Sequence, residues 1–112
     1  MESPLMILPC LSAQLELYSD HVIFRPRGVW ARVSRMVEHT MPIREIESVR
    51  LLPSNARMTG VMEIKRAELK PKSLYIMFSN THAREASAFY ETLDDLLTRK
   101  DVFKVISAME SL

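Results

Sequence analysis

The chain has 112 residues, of which 47% are apolar and 26% charged. This length and composition are typical of one folded globular domain and exclude a largely disordered chain. Its net charge of +1 is unevenly divided, because residues 21–72 hold eleven Lys or Arg against five Asp or Glu, whereas residues 1–20 hold three acids and no base. The basic middle creates a one-sided field if the fold gathers it on one face, and scattered solvated charges are the alternative.

The sequence contains few cysteine and histidine residues. The single cysteine, Cys10, excludes an intramolecular disulfide, and His21, His39 and His82 lack partners at metal-ligand spacing. The apolar start "PLMILPCL" is short for a secretion signal and follows no Lys or Arg. No stretch approaches the roughly 20 apolar residues of a membrane span. We expect a cytoplasmic protein in which residues 1–12 form an apolar first strand or arm.

Residues 13–79 are predicted to form six or seven short strands in meander order. "AQLELYSDHVIFRPR" alternates apolar and polar residues on both sides of Ser19 and Asp20, which is the pattern of a β-hairpin. "VEHTMPI", "IESVRLLP", "VMEIKRAEL" and "SLYIMFSN" continue the same period of two. "PSNARMTG" and the tripeptide at residues 70–72 are predicted turns between them.

At residue 80 the period changes to that of a helix. A single apolar stripe predicts an amphipathic helix over residues 80–98, capped by Asn80 or Thr81; its members are Ala86, Phe89, Tyr90, Leu93, Leu96 and Leu97. The stripe then fails at Lys100. Val102, Val105, Ile106 and Met109 start a new phase, which predicts a second short helix in a tail at residues 99–112, packed on its own domain or on a partner.

Strands in meander order followed by one C-terminal helix indicate an α+β domain. Three pieces of the sequence are characteristic: an acidic turn before a strand with a basic end (Asp20 to Arg27), a Pro-aliphatic-x-x-Ile-x-x-Val step (Pro42 to Val49) and a final helix bearing Phe89. In this order they resemble short bacterial pleckstrin-homology-like domains, over residues 13–97. This resemblance implies a small bent sheet or partly open barrel with the helix covering one end. It also implies a scaffold that binds phosphoinositides, peptides or copies of itself rather than a catalyst.

No pattern of residues indicates an enzyme or a cofactor. The chain lacks a Gly-rich phosphate loop and a Gly-x-Ser-x-Gly elbow. Asp94 and Asp95 are neighbours on a helix, so they point in different directions and are expected to be solvated. Cys10 is expected to be a small buried hydrophobe, and His39 a core or barrel-mouth histidine on the face of Val37 and Met41. We therefore expect no catalytic residue, metal site or bound cofactor.

The segment "RPRGVWARVSRM", residues 25–36, collects four arginines, the only tryptophan and no acid. Arginine suits planar contacts to phosphate or carboxylate, and Trp and Arg are both enriched at protein interfaces. The candidate contact residues are Arg25, Arg27, Trp30, Arg32 and Arg35.

Several roles for this segment remain open. The first is a β-turn whose Trp30 packs back on the domain beneath the arginines. The others are a surface for a protein partner or for self-association, and a membrane surface that binds anionic headgroups. Nucleic acid is disfavoured by the low overall charge. The sequence predicts a non-catalytic binding module acting through protein contact or self-association, with a peripheral membrane adaptor as the alternative.

Overall fold

The computed structural model describes residues 3–55, 58–67 and 73–110, with backbone only for Trp30, residues 101–108 and Glu110. Two antiparallel sheets precede a long helix, so the α+β prediction is confirmed. The first sheet has the order β1-β2-β3-β4 and the second β5-β6-β7. The strands are β1 Met6–Cys10, β2 Ala13–Leu17, β3 His21–Pro26, β4 His39–Pro42, β5 Ile46–Leu52, β6 Gly60–Arg66 and β7 Ser73–Phe78. The helices are α1 Gly28–Val33 and α2 Ala83–Glu110, with 3-10 turns at Ile43–Glu45 and Asn80–His82.

The predicted hairpin forms the centre of the first sheet. Strands β2 and β3 pair with Leu15 opposite Phe24, and the Tyr18 N–H closes the turn at the His21 carbonyl over 2.8 Å. Residues 6–10 add β1 to the edge of β2, so the apolar N-terminus is a strand rather than an arm. Cys10 ends this strand partly buried against the core, and burial raises the pKa of its thiol to about 12. It therefore behaves as a small hydrophobe.

The second sheet follows the predicted period of two. Met62 and Ile64 of β6 are buried, and so are Ile76 and Phe78 of β7, whereas the alternate residues of β7 face solvent. Gly60 begins β6 where a side chain has no room, since a Cβ would overlap the Phe78 ring. The turn predicted at residues 70–72 lies outside the described residues.

Helix α2 covers the sheets with the predicted stripe. Ala86, Phe89, Leu93 and Leu97 are buried against β5 and β1, and Tyr90 and Leu96 are partly buried. Removing these apolar groups from water is the main stabilising term available to a domain of this size. Phe89 and Leu93 have no exposed surface.

The two sheets are not closed into a barrel. They meet at the Leu11 N–H, which donates to the Met77 carbonyl over 2.9 Å. The Ala67 N–H donates to the Glu45 carbonyl over 3.0 Å, which extends the pairing of β5 with β6 beyond Ile46 and Arg66. Lys100 of α2 ties the helix to the link between the sheets, because its ammonium group donates to the backbone carbonyls of Ile43, Arg44 and Ile46.

Two predictions about α2 are wrong. The helix continues without a break to Glu110, so no second helix begins near Asp101. The chain has no Pro or Gly after residue 71, and a change in the apolar phase alone does not end a helix. Neither Asn80 nor Thr81 caps α2, because a 3-10 turn over Asn80–His82 leads directly into the helix at Ala83. The Asn80 amide oxygen instead accepts a hydrogen bond from Ser54 at 2.9 Å.

Candidate binding surface

Arg25 lies on the outer face of the first sheet and is held by two carboxylates. Its Nε donates to Glu16 Oε2 at 2.8 Å, and its Nη1 lies 2.8 Å from Glu38 Oε1. The period of two places Arg25 beside Glu16, because Glu16 pairs with Ile23 and Gln14 pairs with Arg25 across the hairpin. The charge of Arg25 is therefore already matched within the domain, and its contact with a partner stays a prediction.

Glu16 is the centre of this outer-face network. Its side chain is only 8% exposed, and its oxygens accept hydrogen bonds from Gln14, Tyr18 and Arg25 at 2.8 Å each. The bond from Arg25 is the largest cause that lowers the pKa of Glu16, against the raising effect of burial. The Tyr18 ring in turn stacks on His21, with centroids 4.4 Å apart. A buried carboxylate with this many donors is satisfied, and it fixes the position of Arg25.

The chain leaves β3 through a short helix, not through the predicted β-turn. Gly28 has φ +88°, a left-handed conformation that favours glycine, and α1 follows from Gly28 to Val33. The Arg35 N–H donates to the Arg32 carbonyl and the Met36 N–H to the Ala31 carbonyl, with Arg35 itself at φ +53°. This pair of bonds is the Schellman ending of a helix, here with Arg at the position that usually holds Gly.

The position of α1 is set by backbone and core contacts. The Arg27 N–H donates to the Ser12 carbonyl over 3.0 Å, which joins the end of β3 to the β1–β2 turn. Ala31 is buried on the inner side of the helix, whereas Val29 and Val33 are exposed. The side chain of Trp30 lies outside the described residues, so its predicted packing is left open. The backbone that carries the arginines of this segment is therefore held in position by the rest of the domain.

Arg27, Arg32 and Arg35 differ from Arg25 in that no described carboxylate pairs with them. All three are exposed, and none of them forms an ion pair within the described part of the chain. Arg27 and Arg32 line a groove of about 450 Å³ together with Arg25, Met36 and Glu38. We call this the basic groove. Since Arg25 is neutralised by Glu16 and Glu38, the positive charge available to a ligand comes from Arg27 and Arg32.

A second groove of about 180 Å³ adjoins the basic groove and shares Met36 with it. We call it the apolar groove; its lining includes Leu11, Phe24, Met36, Tyr75 and Met77. Tyr75 is 67% exposed and Met77 50%. The sequence analysis assigned these two residues to the face opposite Ile76 and Phe78 but gave them no role. Their grouping with Leu11 depends on the approach of β1 to β7, which no local pattern shows.

A third groove, of about 700 Å³, lies between the β3–β4 pair and α2. Most of its cations have partners within the molecule. Lys100 donates to three backbone carbonyls, Arg99 pairs with Asp95 at 3.1 Å, and His21 is hydrogen-bonded to Asp20. Asp94 and Asp95 are exposed, as predicted for a solvated helix face. This groove offers less unmatched charge than the basic groove.

Within the described ranges, no group of three or more His, Cys, Asp and Glu side chains is placed to hold a metal ion. Among the same residues, no helix is long and apolar enough to cross a membrane. Comparison of the chain with protein-family models, curated proteins and solved structures finds no match.

Proposed function

We propose that this domain is a non-catalytic, pleckstrin-homology-like binding module that holds an acidic segment of a protein partner in the basic groove. The observation that carries the proposal is the contrast among the arginines: Arg25 is paired with Glu16 and Glu38, while Arg27 and Arg32 line the same groove and form no ion pair with a described residue. Exposed guanidinium groups in a groove suit carboxylates, to which arginine donates in a planar, two-pronged geometry.

The architecture supports the resemblance to pleckstrin-homology-like domains. Seven strands followed by one C-terminal helix agree with what the resemblance implies, although the two sheets are not closed into a barrel. Arg27, Arg32 and Arg35 lie between the third and fourth strands, whereas eukaryotic members that bind inositol phosphates usually place their basic residues between the first two. This difference favours a ligand other than the phosphoinositides of that family.

Anionic lipid is the second candidate ligand. Val29 is 78% exposed and Val33 68% exposed beside Arg32, and apolar side chains next to cations suit the headgroup region of a membrane. The protein partner is favoured because Arg27 and Arg32 line a groove that shares Met36 with the apolar groove. Adjoining grooves fit an extended chain better than they fit a flat bilayer surface.

The test is direct binding of a fluorescently labelled octa-aspartate peptide, measured by anisotropy over a series of NaCl concentrations. We expect binding that weakens with salt and falls about tenfold in the Arg27→Ala/Arg32→Ala double variant, since two exposed ion pairs are lost. The charge-matched control is Arg44→Ala/Arg84→Ala, which removes two exposed arginines outside this groove. The control is expected to bind like the wild type.

Two results would overturn the proposal. An equal loss in both double variants would show attraction to net charge rather than to the groove. Sedimentation with vesicles of phosphatidylserine and phosphatidylcholine that depends on Arg27 and Arg32, without peptide binding, would assign the groove to lipid instead.

A further inference from the structure

We propose that the partner segment binds as an extended strand that pairs with the free edge of β7, placing apolar side chains in the apolar groove and acidic side chains in the basic groove. This inference rests on the proposed function and specifies its partner: an extended chain in which apolar residues adjoin a cluster of acids.

The free edge of β7 follows from its hydrogen bonds. The Met77 carbonyl accepts from Leu11 of the other sheet, so it points away from β6. Backbone groups of a strand alternate in direction, so those of Tyr75 and Ser73 point the same way. No segment in the described ranges pairs with Tyr75 or Ser73 on that side. The edge therefore offers the N–H and C=O groups to which an added strand binds.

The side chains along this edge suit an apolar residue of the added strand. Tyr75 and Met77 are exposed, and with Leu11 they surround a groove that Phe24 and Ile76 also line. Aromatic residues and methionine are favoured at protein interfaces, and methionine adapts to different shapes of ligand. Strand addition takes its affinity from the main chain and its specificity from such pockets.

The charge of the two grooves identifies the rest of the partner segment. Because Met36 lines both grooves, the two grooves are neighbours, and a chain bound in the apolar groove can reach the basic groove, where Arg27 and Arg32 form no ion pair with a described residue. A second copy of this protein is a poorer occupant. Its β7 reads "SLYIMF" and carries no acid, so pairing two β7 edges leaves these arginines without carboxylates.

The experiment begins with selection of random displayed decapeptides against the whole chain. We expect enriched peptides that combine alternating apolar residues with an acidic cluster. The strongest peptide is then synthesised with N-methyl groups at single positions. Removing an N–H that faces β7 is expected to weaken binding about tenfold, and removing the alternate ones to have little effect, so the loss should follow a period of two.

Matched variants of the protein locate the contact. Tyr75→Thr is expected to weaken peptide binding several-fold, since it removes an exposed aromatic side chain beside the groove. Leu52→Thr is the control, because Leu52 is an exposed apolar residue on β5 at the opposite edge of the same sheet. Both residues are more than half exposed, so we expect both variants to fold. Hydrogen exchange at the Tyr75 amide is expected to slow when the peptide binds.

The outcomes separate the two proposals. Peptides that depend on Arg27 and Arg32 but show no alternating effect of N-methylation overturn the strand and leave the proposed function in place. Peptides unaffected by Arg27→Ala/Arg32→Ala overturn the proposed function, and a failure to enrich any peptide overturns both. A dimer of the chain alone that Tyr75→Lys dissociates would assign the β7 edge to a second copy.

Discussion

Arg25 and Arg27 are two residues apart, yet they belong to regions of opposite electrostatic character. On the outer face of the first sheet, Arg25 lies between Glu16 and Glu38 and completes a closed polar network. At the start of α1, Arg27 stands exposed, and neither it nor Arg32 has an acid partner in the described part of the molecule. The same residue type thus holds the sheet face together in one region and leaves charge available for a ligand in the next.

The largest effect on stability is expected when Glu16, the centre of the outer-face network, is replaced. Glu16→Ala removes the acceptor shared by Gln14, Tyr18 and Arg25, and lost hydrogen bonds to a charged group lower the free energy of unfolding by about 1.5–3 kcal/mol. Chemical denaturation measures the loss. Glu47→Gln is the control, because Glu47 is 52% exposed and pairs with Lys65 at 3.7 Å. A loss below 0.5 kcal/mol for Glu16→Ala would show that the network contributes little.

Lowering the pH is expected to weaken the same network in the wild-type protein. The pKa of Glu16 is lowered by Arg25 below its ordinary value of 4.5, so below that value the unfolded chain takes up a proton that the folded chain does not. The free energy of unfolding then falls as the pH drops from about 4.5 through the folded pKa. Glu16→Gln is expected to flatten this part of the curve, measured by denaturation between pH 2 and pH 6. Parallel curves for the two proteins would contradict the assignment.

A smaller effect is expected at the rim of the network. Tyr18→Phe removes the hydroxyl that donates to Glu16 at 2.8 Å and keeps the ring that stacks on His21. Loss of one hydrogen bond lowers the free energy of unfolding by about 0.5–1.5 kcal/mol. Tyr75→Phe is the control, since Tyr75 is exposed. Equal melting temperatures for both variants would show that Glu16 does not need the Tyr18 hydroxyl.

The smallest effect on stability is expected in the basic groove. Arg27→Ala/Arg32→Ala removes exposed side chains with no described acid partner, so the free energy of unfolding should stay within about 0.5 kcal/mol of the wild type. Binding of the acidic peptide is the property that should change. A destabilisation as large as that of Glu16→Ala would mean that these arginines serve the fold and that the contrast between the two regions is false.

The elements themselves were largely predictable, because their patterns are local. Leu93 lies four residues after Phe89 on one face of a helix, and the alternation of Ile76 and Phe78 with Tyr75 and Met77 predicted which residues of β7 are buried. The differences concern where helices form and where they end. The short helix α1 forms where a β-turn was one of the open interpretations, and α2 continues past residue 100. A helix that contains no Pro or Gly can continue beyond the point where its apolar stripe ends.

The sequence predicted which segment holds the candidate site but not which of its arginines are paired with acids. All four arginines of residues 25–36 were assigned to a contact, because residue type and spacing do not show which of them has an acid opposite it. Glu16 is nine residues before Arg25, and the two meet through the register of the β2–β3 hairpin. The apolar groove was not predicted, since Leu11 and Met77 are 66 residues apart along the chain.

The amino-acid sequence by itself determined the α+β class, the strand faces, the buried stripe of α2 and the basic character of residues 25–36. These properties follow from the fixed periods of strands and helices and from composition. The tertiary structure alone decided which arginines are matched, which edge of the second sheet is free, and that a basic groove adjoins an apolar one. The physical reason is that a charge or a backbone group is satisfied by what lies within hydrogen-bond distance of it in space, and chain reversal brings those partners from distant positions.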